Sequence, residues 1–184
     1  SSDLSLAQSY GMTECASTVT VLNALDHRRG GAPLQSVGRA AFGVEIDIRE
    51  PDGSTSASGK IGEIYIRCDS IMTEYWNKSE QTEASLVDGW YRSGDAGHLD
   101  EQGYLYLADR VKDMIVTGGE NVYSIEVENA ISSHPHVIQV AVIGLPDELW
   151  GETVHAVVVC DPEATNQADL MAHARKTIAG FKVP

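Results

Sequence analysis

From Val44 to Arg49 the chain alternates with a period of two, Val44, Ile46 and Ile48 against Glu45, Asp47 and Arg49. Such alternation turns one face to a core and the other to water, so the segment predicts a half-buried strand. Glu50-Pro-Asp-Gly53 then supplies turn chemistry, and a Ser/Gly-rich loop runs to Gly59. Ile64 and Ile66, alternating with Glu63, Tyr65 and Arg67, predict a second strand. After the turn Asp100-Glu-Gln-Gly103, Tyr104-Leu-Tyr-Leu107 predicts a third. Short strands punctuated by turns imply a small β-barrel or curled sheet.

The pattern changes near residue 113. Met114-Ile-Val116 predicts a short strand before a Gly-rich loop. Ser124 is placed to cap a helix, with Glu126 and Glu128 at its positive end. Val127, Ala130 and Ile131 fall on one face of that helix. Val137 to Ile143 and Val154 to Cys160 read as two strands, with Asp147 near the turn between them, and Leu170, Met171, Ala174 and Ile178 mark a final amphipathic helix. The fold class expected is α+β: a small β-barrel-like subdomain, then a small mixed α/β domain with a short sheet and flanking helices. No internal repeat is evident.

Composition narrows the picture. A chain of 184 residues, 42% apolar, is long enough for a real core. No run of about 18 apolar residues occurs, which excludes a spanning helix. Ser1-Ser2-Asp3-Leu4 has neither a basic start nor an apolar centre, so it does not read as a signal peptide. Cys15, Cys68 and Cys160 are odd in number and far apart, which points away from a disulfide framework or zinc site and towards a cytoplasmic, reducing compartment. The net charge of −14 disfavours nucleic acid and anionic membrane as partners.

Three short stretches carry candidate chemistry. In Gln8-Ser-Tyr-Gly-Met-Thr-Glu14, Gly11 permits close backbone approach, Tyr10 offers a flat aromatic face and Thr13 a hydroxyl. Glu14 is a hard oxygen ligand of the kind Mg²⁺ takes alongside substrate phosphates. In Tyr91-Arg-Ser-Gly-Asp95, a carboxylate beside a glycine can accept two hydrogen bonds from a ribose diol. In Asp109-Arg-Val-Lys-Asp-Met-Ile-Val-Thr-Gly-Gly-Glu-Asn121, Arg110 supplies a permanently charged fork. Gly118-Gly119 serves either a hairpin turn or a narrow passage.

In this order and spacing the three stretches resemble the later motifs of the adenylate-forming superfamily, which comprises acyl- and aryl-CoA ligases, luciferases and peptide-synthetase adenylation domains. The resemblance spans nearly the whole chain, and Glu120-Asn121 with Ser124-x-Glu126 leans towards fatty-acyl- or aryl-CoA ligases. It implies that residues 1–108 are the end of a large N-terminal domain, 109–112 a hinge, and 113–184 a small, incomplete C-terminal domain. It implies ATP or AMP contacts for Tyr10, Gly11, Thr13, Asp95 and Arg110, and metal binding for Glu14. Thr13, Glu14 and the hinge Lys112 are the implied catalytic set, with Gly118 and Gly119 lining a pantetheine tunnel.

The implied reaction activates a carboxylic acid with Mg·ATP and passes the acyl group to CoA. A carrier-protein thiol and a non-catalytic nucleotide-binding module stay open as alternatives, and so does a homo-oligomer. The family's Ser/Thr/Gly-rich phosphate loop and its Gly-Lys lysine have no counterpart here, and Lys182 does not match the latter. The chain therefore reads as a C-terminal piece, inactive without an N-terminal portion of its parent. Ile71-Met-Thr-Glu-Tyr-Trp76 reads as packing against the barrel, Cys15 as a candidate lining of the acyl pocket, and the six histidines as surface residues without metal spacing.

Overall fold

A computed structural model describes residues 4–184; Ser1-Ser2-Asp3, part of the start read above for a signal peptide, lie outside the described residues. Contacts gather the chain into two compact units, one running up to Leu107 and the other Ala108–Pro184.

The first unit opens with strands β1 (Gln8–Met12) and β2 (Ser17–Leu22), helix α1 (Ala24–Arg29) and the two-residue β3 (Arg39–Ala40). These strands form one antiparallel sheet in the order β1-β2-β3. Then come β4 (Glu45–Arg49), β5 (Gly62–Arg67), α2 (Ser79–Ser85), β6 (Leu86–Val87), β7 (Trp90–Leu99) and β8 (Leu105–Arg110), whose last three residues belong to the second unit. They pair as β4-β5-β7-β6 with β8 on the far side of β7, a curled half-barrel. Ile48, Ile64, Ile66, Tyr91 and Leu105 bury themselves with Cys15 and Val19 in a single core. Alternation predicted β4 and β5, but Tyr65 on the polar face is buried too. The Arg49 guanidinium sits 4.3 Å over its ring and Arg92 5.8 Å away, so cations roof the aromatic.

Two helices in this half were not expected. Asn23 starts α1 by accepting from the N–H groups of Leu25 and Asp26, a cap legible in retrospect. Helix α2 has no side-chain cap and too little apolar periodicity to declare itself.

The second unit holds β9 (Ile115–Thr117), β10 (Glu120–Val122), α3 (Ser124–Ser132), β11 (Val137–Asp147), β12 (Gly151–Cys160) and α4 (Gln167–Ala174). Its antiparallel sheet runs β10-β9-β12-β11. Val127, Ala130 and Ile131 of α3 meet Ile115, Val122, Val142, Val154 and Ala174 in a second core. Ile178 joins them from beyond the end of α4. The expectation for Ser124 needs correction. It is the first helical residue, and its hydroxyl donates to Asp109 Oδ2 at 2.6 Å. The Ile125 N–H reaches the same oxygen at 3.4 Å, so a distant carboxylate caps α3.

Two glycines test the backbone. A β-carbon on Gly11 would stand 1.4 Å from the Ser17 carbonyl oxygen, where the β1–β2 pairing bulges. One on Gly119 would meet nothing within 4 Å but would sit at φ +82°. We expect Gly11→Ala to cost about 3 kcal/mol by overpacking and Gly119→Ala about 1 kcal/mol by left-handed strain. Urea unfolding of the two variants checks the order, and equal losses would contradict it.

Candidate functional site

Asp95 is delivered by a bulge. On β5, Glu63 and Tyr65 are two residues apart, but their partners Ala96 and Arg92 on β7 are four apart. The intervening Ser93-Gly94-Asp95, opposite Ile64 alone, swings out of the ladder with Gly94 at φ +71°. The Ser93 hydroxyl pins the loop by donating to the Ile64 carbonyl at 2.8 Å and accepting from the Asp95 N–H at 3.1 Å. Bulges re-aim side chains in this way. Tyr10, on β1 opposite a bulge in β2, donates its hydroxyl to Asp95 Oδ2 at 2.7 Å. Burial, reinforced by the Asp95 carboxylate, pushes the Tyr10 phenol well above its ordinary range. The proton therefore stays on Tyr10, and Asp95 remains the acceptor.

Thr13 and Glu14 follow β1 in a single 3-10 turn, Thr13–Cys15. Thr13 is exposed and Glu14 half-buried. Glu14 Oε1 accepts from the Tyr75 hydroxyl at 2.8 Å, and that hydroxyl lies 3.3 Å from the Tyr91 hydroxyl. The reading of Ile71 to Trp76 as packing thus fits Ile71 and Met72 but missed Tyr75; Trp76 is 82% exposed. Cys15 belongs to the core, and burial, with Cys68 alongside, pushes its thiol up to about 12. It is a packed, protonated thiol. Gly11 spends its missing side chain on the Ser17 carbonyl, so the close approach it permits is within the chain.

In the second unit Arg110 ends β8 and Lys112 is exposed in the 3-10 turn Val111–Asp113. Gly118 and Gly119, at φ +58° and +82°, form the two-residue turn between β9 and β10. Both signs suit a type I′ hairpin. That turn also borders a groove of about 470 Å³ whose walls include Gly118, Trp150, Val154 and Phe181. A β-carbon on Gly118 would press on the Trp150 ring at 3.0 Å, and its N–H donates to the Trp150 carbonyl. Trp150 and Phe181 were not singled out from sequence. Trp150 is held by the Asp147 carboxylate, which accepts from the Leu149 and Trp150 N–H groups.

The structure thus joins Tyr10 directly to Asp95 and sets Glu14 in its own tyrosine pair. Within the second unit Gly118 lines the Trp150–Phe181 groove, and Gly119 is not among its walls. The histidines are less superficial than expected: only His136 and His155 are exposed, and His98 stacks on Tyr106 at 4.9 Å. Among the described residues no group of three or more potential ligands encloses a metal site.

The AMP-binding enzyme model matches residues 3–76, and the AMP-binding enzyme C-terminal domain model matches residues 126–184. A fatty acid–[acyl-carrier-protein] ligase of Streptomyces coeruleorubidus, ScoC, is 40% identical over 183 residues, 99% of this chain and 35% of that protein. A long-chain-fatty-acid–CoA ligase of Mycobacterium tuberculosis, FadD13, is also 40% identical, over 182 residues and the same shares. The solved o-succinylbenzoate CoA synthetase of Bacillus subtilis, in complex with the acyl-adenylate OSB-AMP, matches with a TM-score of 0.82 at 36% identity. That match covers 97% of this chain and 36% of the synthetase, which has also been solved with ATP and a magnesium ion. The chain spans about 35% of the length of the curated relatives it matches. On both family models and on this shared fold, the chain belongs to the AMP-binding, adenylate-forming enzymes.

Proposed function

We propose that this chain is the part of an acid–CoA ligase that holds the nucleotide's ribose, the metal and the pantetheine arm. The Tyr10–Asp95 hydrogen bond carries the reading. It fixes a carboxylate at the tip of a bulge with its acceptor lone pairs oriented, the arrangement a vicinal diol needs. Asp95 accepts from the two ribose hydroxyls, Tyr10 orients Asp95 and lines the base, and Gly11 shapes the strand beneath them. Thr13 donates to phosphate oxygens, and Arg110 lays its fork on ribose or phosphate.

Glu14 fits Mg²⁺ as a single hard carboxylate, half-buried and bonded by a neutral phenol. A lone protein carboxylate suits an ion that arrives on nucleotide phosphates. Bound there, Mg²⁺ would neutralise phosphate charge as it develops. The chemistry is in two steps. The substrate carboxylate oxygen bonds to the α-phosphorus while the bond to pyrophosphate breaks, giving an acyl-adenylate. The CoA thiol, losing its proton, then bonds to the acyl carbon and AMP leaves. Positioning and charge stabilisation carry most of the rate.

For the second step, the groove beside Gly118, Trp150 and Phe181 takes the pantetheine arm, and Lys112 serves as the pivot between half-reactions. A carrier-protein pantetheine is the second acceptor to weigh, favoured by the 40% identity to ScoC. Supplying CoA or a charged carrier to the full-length protein decides between them. No helix among the described residues is long and apolar enough to cross a membrane, and we place the enzyme in the cytoplasm on its free cysteines.

Two tests follow. In the full-length protein, Asp95→Ala leaves the ribose donors without partners. We expect a loss of about 2–4 kcal/mol, roughly 30- to 700-fold in kcat/KM for ATP. Tyr10→Phe, which removes only the orienting donor, should cost about 1 kcal/mol. Unchanged values for Asp95→Ala would sink the ribose assignment.

The second test separates the half-reactions. Lys112→Pro fixes φ near −65° at the pivot, whereas Gly119→Leu adds bulk at a position open within its own unit. Both variants should form acyl-AMP at near-parental rates and convert supplied acyl-AMP to acyl-CoA poorly. Equal loss of both steps in folded protein would contradict the pivot and tunnel roles.

A further inference from the structure

Glu14 and the adjacent Cys15 are gripped by one segment through three hydrogen bonds. The Met72 N–H donates to the Glu14 carbonyl at 2.7 Å, and the Ser70 hydroxyl donates to the Cys15 carbonyl at 3.0 Å. Tyr75 reaches the carboxylate itself, donating to Oε1 at 2.8 Å. Tyr75 is in turn fixed from α2, because its N–H donates to the Thr82 hydroxyl at 3.0 Å.

A phenol has one proton to give, and Tyr75 gives it to Glu14. At the 3.3 Å contact with Tyr91, therefore, Tyr91 is the donor and Tyr75 the acceptor. The bonds run in one direction, Tyr91 to Tyr75 to Glu14. Tyr91 is only 5% exposed and sits on β7 within the half-barrel core, so the far end of the chain is rigid. A phenol is protonated at neutral pH, so both links of the chain are neutral donors.

The choice of a neutral donor matters. A lysine or arginine in place of Tyr75 would neutralise Glu14 and compete with a cation for it. A phenol holds one oxygen in place and leaves the charge. We propose that Tyr75, backed by Tyr91, is a positioning residue that fixes Glu14 Oε1 and presents the other carboxylate oxygen to a divalent cation carried on nucleotide phosphates. This rests on the reading of Glu14 as the metal ligand. Outer partners of this kind set the orientation and basicity of the ligand they hold, and losing one typically weakens metal binding by about 10- to 100-fold.

The test measures Mn²⁺ binding, by electron paramagnetic resonance, to the full-length protein saturated with a non-hydrolysable ATP analogue. Tyr75→Phe keeps the ring and removes the donor, and we expect the Mn²⁺ dissociation constant to rise about 10-fold. Tyr91→Phe should raise it about 2- to 3-fold, through Tyr75. In turnover, the same variants should need more Mg²⁺ for half-maximal pyrophosphate release yet recover near-parental rates at saturating Mg²⁺. A purely packing role would lower the unfolding temperature and leave the metal requirement unchanged.

Glu14→Gln is the control for the underlying reading. If it leaves Mn²⁺ affinity intact, Glu14 is not the ligand and both readings fall. If it weakens Mn²⁺ while folded Tyr75→Phe binds Mn²⁺ as the parent does, the tyrosine role alone is overturned. Should Tyr75→Phe not fold, Tyr91→Phe decides: an unchanged Mn²⁺ affinity refutes the proposal.

Discussion

Hydrogen bonds from neutral phenols to carboxylates organise the first unit. Tyr10 holds Asp95 at 2.7 Å and Tyr75 holds Glu14 at 2.8 Å. In a chain of net charge −14 that we propose receives a polyanion, carboxylates at the site look like a liability. Pairing them with arginines would remove the liability and the proposed roles together, because a neutralised carboxylate is a poor ligand for a diol or a cation. A phenol orients the carboxylate without cancelling it. The outer face of the same half-barrel follows the opposite rule. There Glu45 pairs with Arg67 and Glu63 with Arg92, and Arg49 and Arg67 stack over Trp90. Charges that need only be quiet are paired with charges of the opposite sign.

The backbone makes those phenol contacts possible. A bulge interrupts β7 at Ser93 to Asp95 and turns Asp95 out of the regular alternation, and β2 carries a further bulge opposite Tyr10 and Gly11. The ladder on either side, closed over Ile64, Ile66 and Leu105, keeps the bulges from relaxing. The second unit uses a different device. A two-glycine turn and the Asp147 turn bring Gly118 against Trp150, leaving an aromatic-walled groove above a core of Val127, Val142 and Val154.

Much of this was legible in sequence, for physical reasons that differ by element. Strands β4 and β5 and the buried face of α3 were plain because one-sided burial imposes a period on the chain. Gly118-Gly119 was readable as a turn because few other pairs accept two positive φ values. What stayed hidden depends on partners far along the chain. The Tyr10–Asp95 bond joins residues 85 apart, Tyr75 meets Glu14 across 61, and Asp109 caps α3 from outside the helix. Tertiary packing decides which of these meet, and no local pattern encodes it. Tyr65 was misread for a related reason, since its roof comes from Arg49 on one neighbouring strand and Arg92 on the other. The motifs pointed to Asp95 and Glu14 as chemistry, but the tyrosines that hold them emerge only from the fold.

The central claim is that phenol-held carboxylates receive the nucleotide. A crystal structure of the full-length protein with a non-hydrolysable ATP analogue and Mg²⁺ tests it most directly. The account predicts both ribose hydroxyls within hydrogen-bond distance of Asp95 with the Tyr10 bond intact, and the metal on the Glu14 oxygen that Tyr75 does not hold. A ribose bound away from Asp95, or a metal with no bond to Glu14, would contradict it.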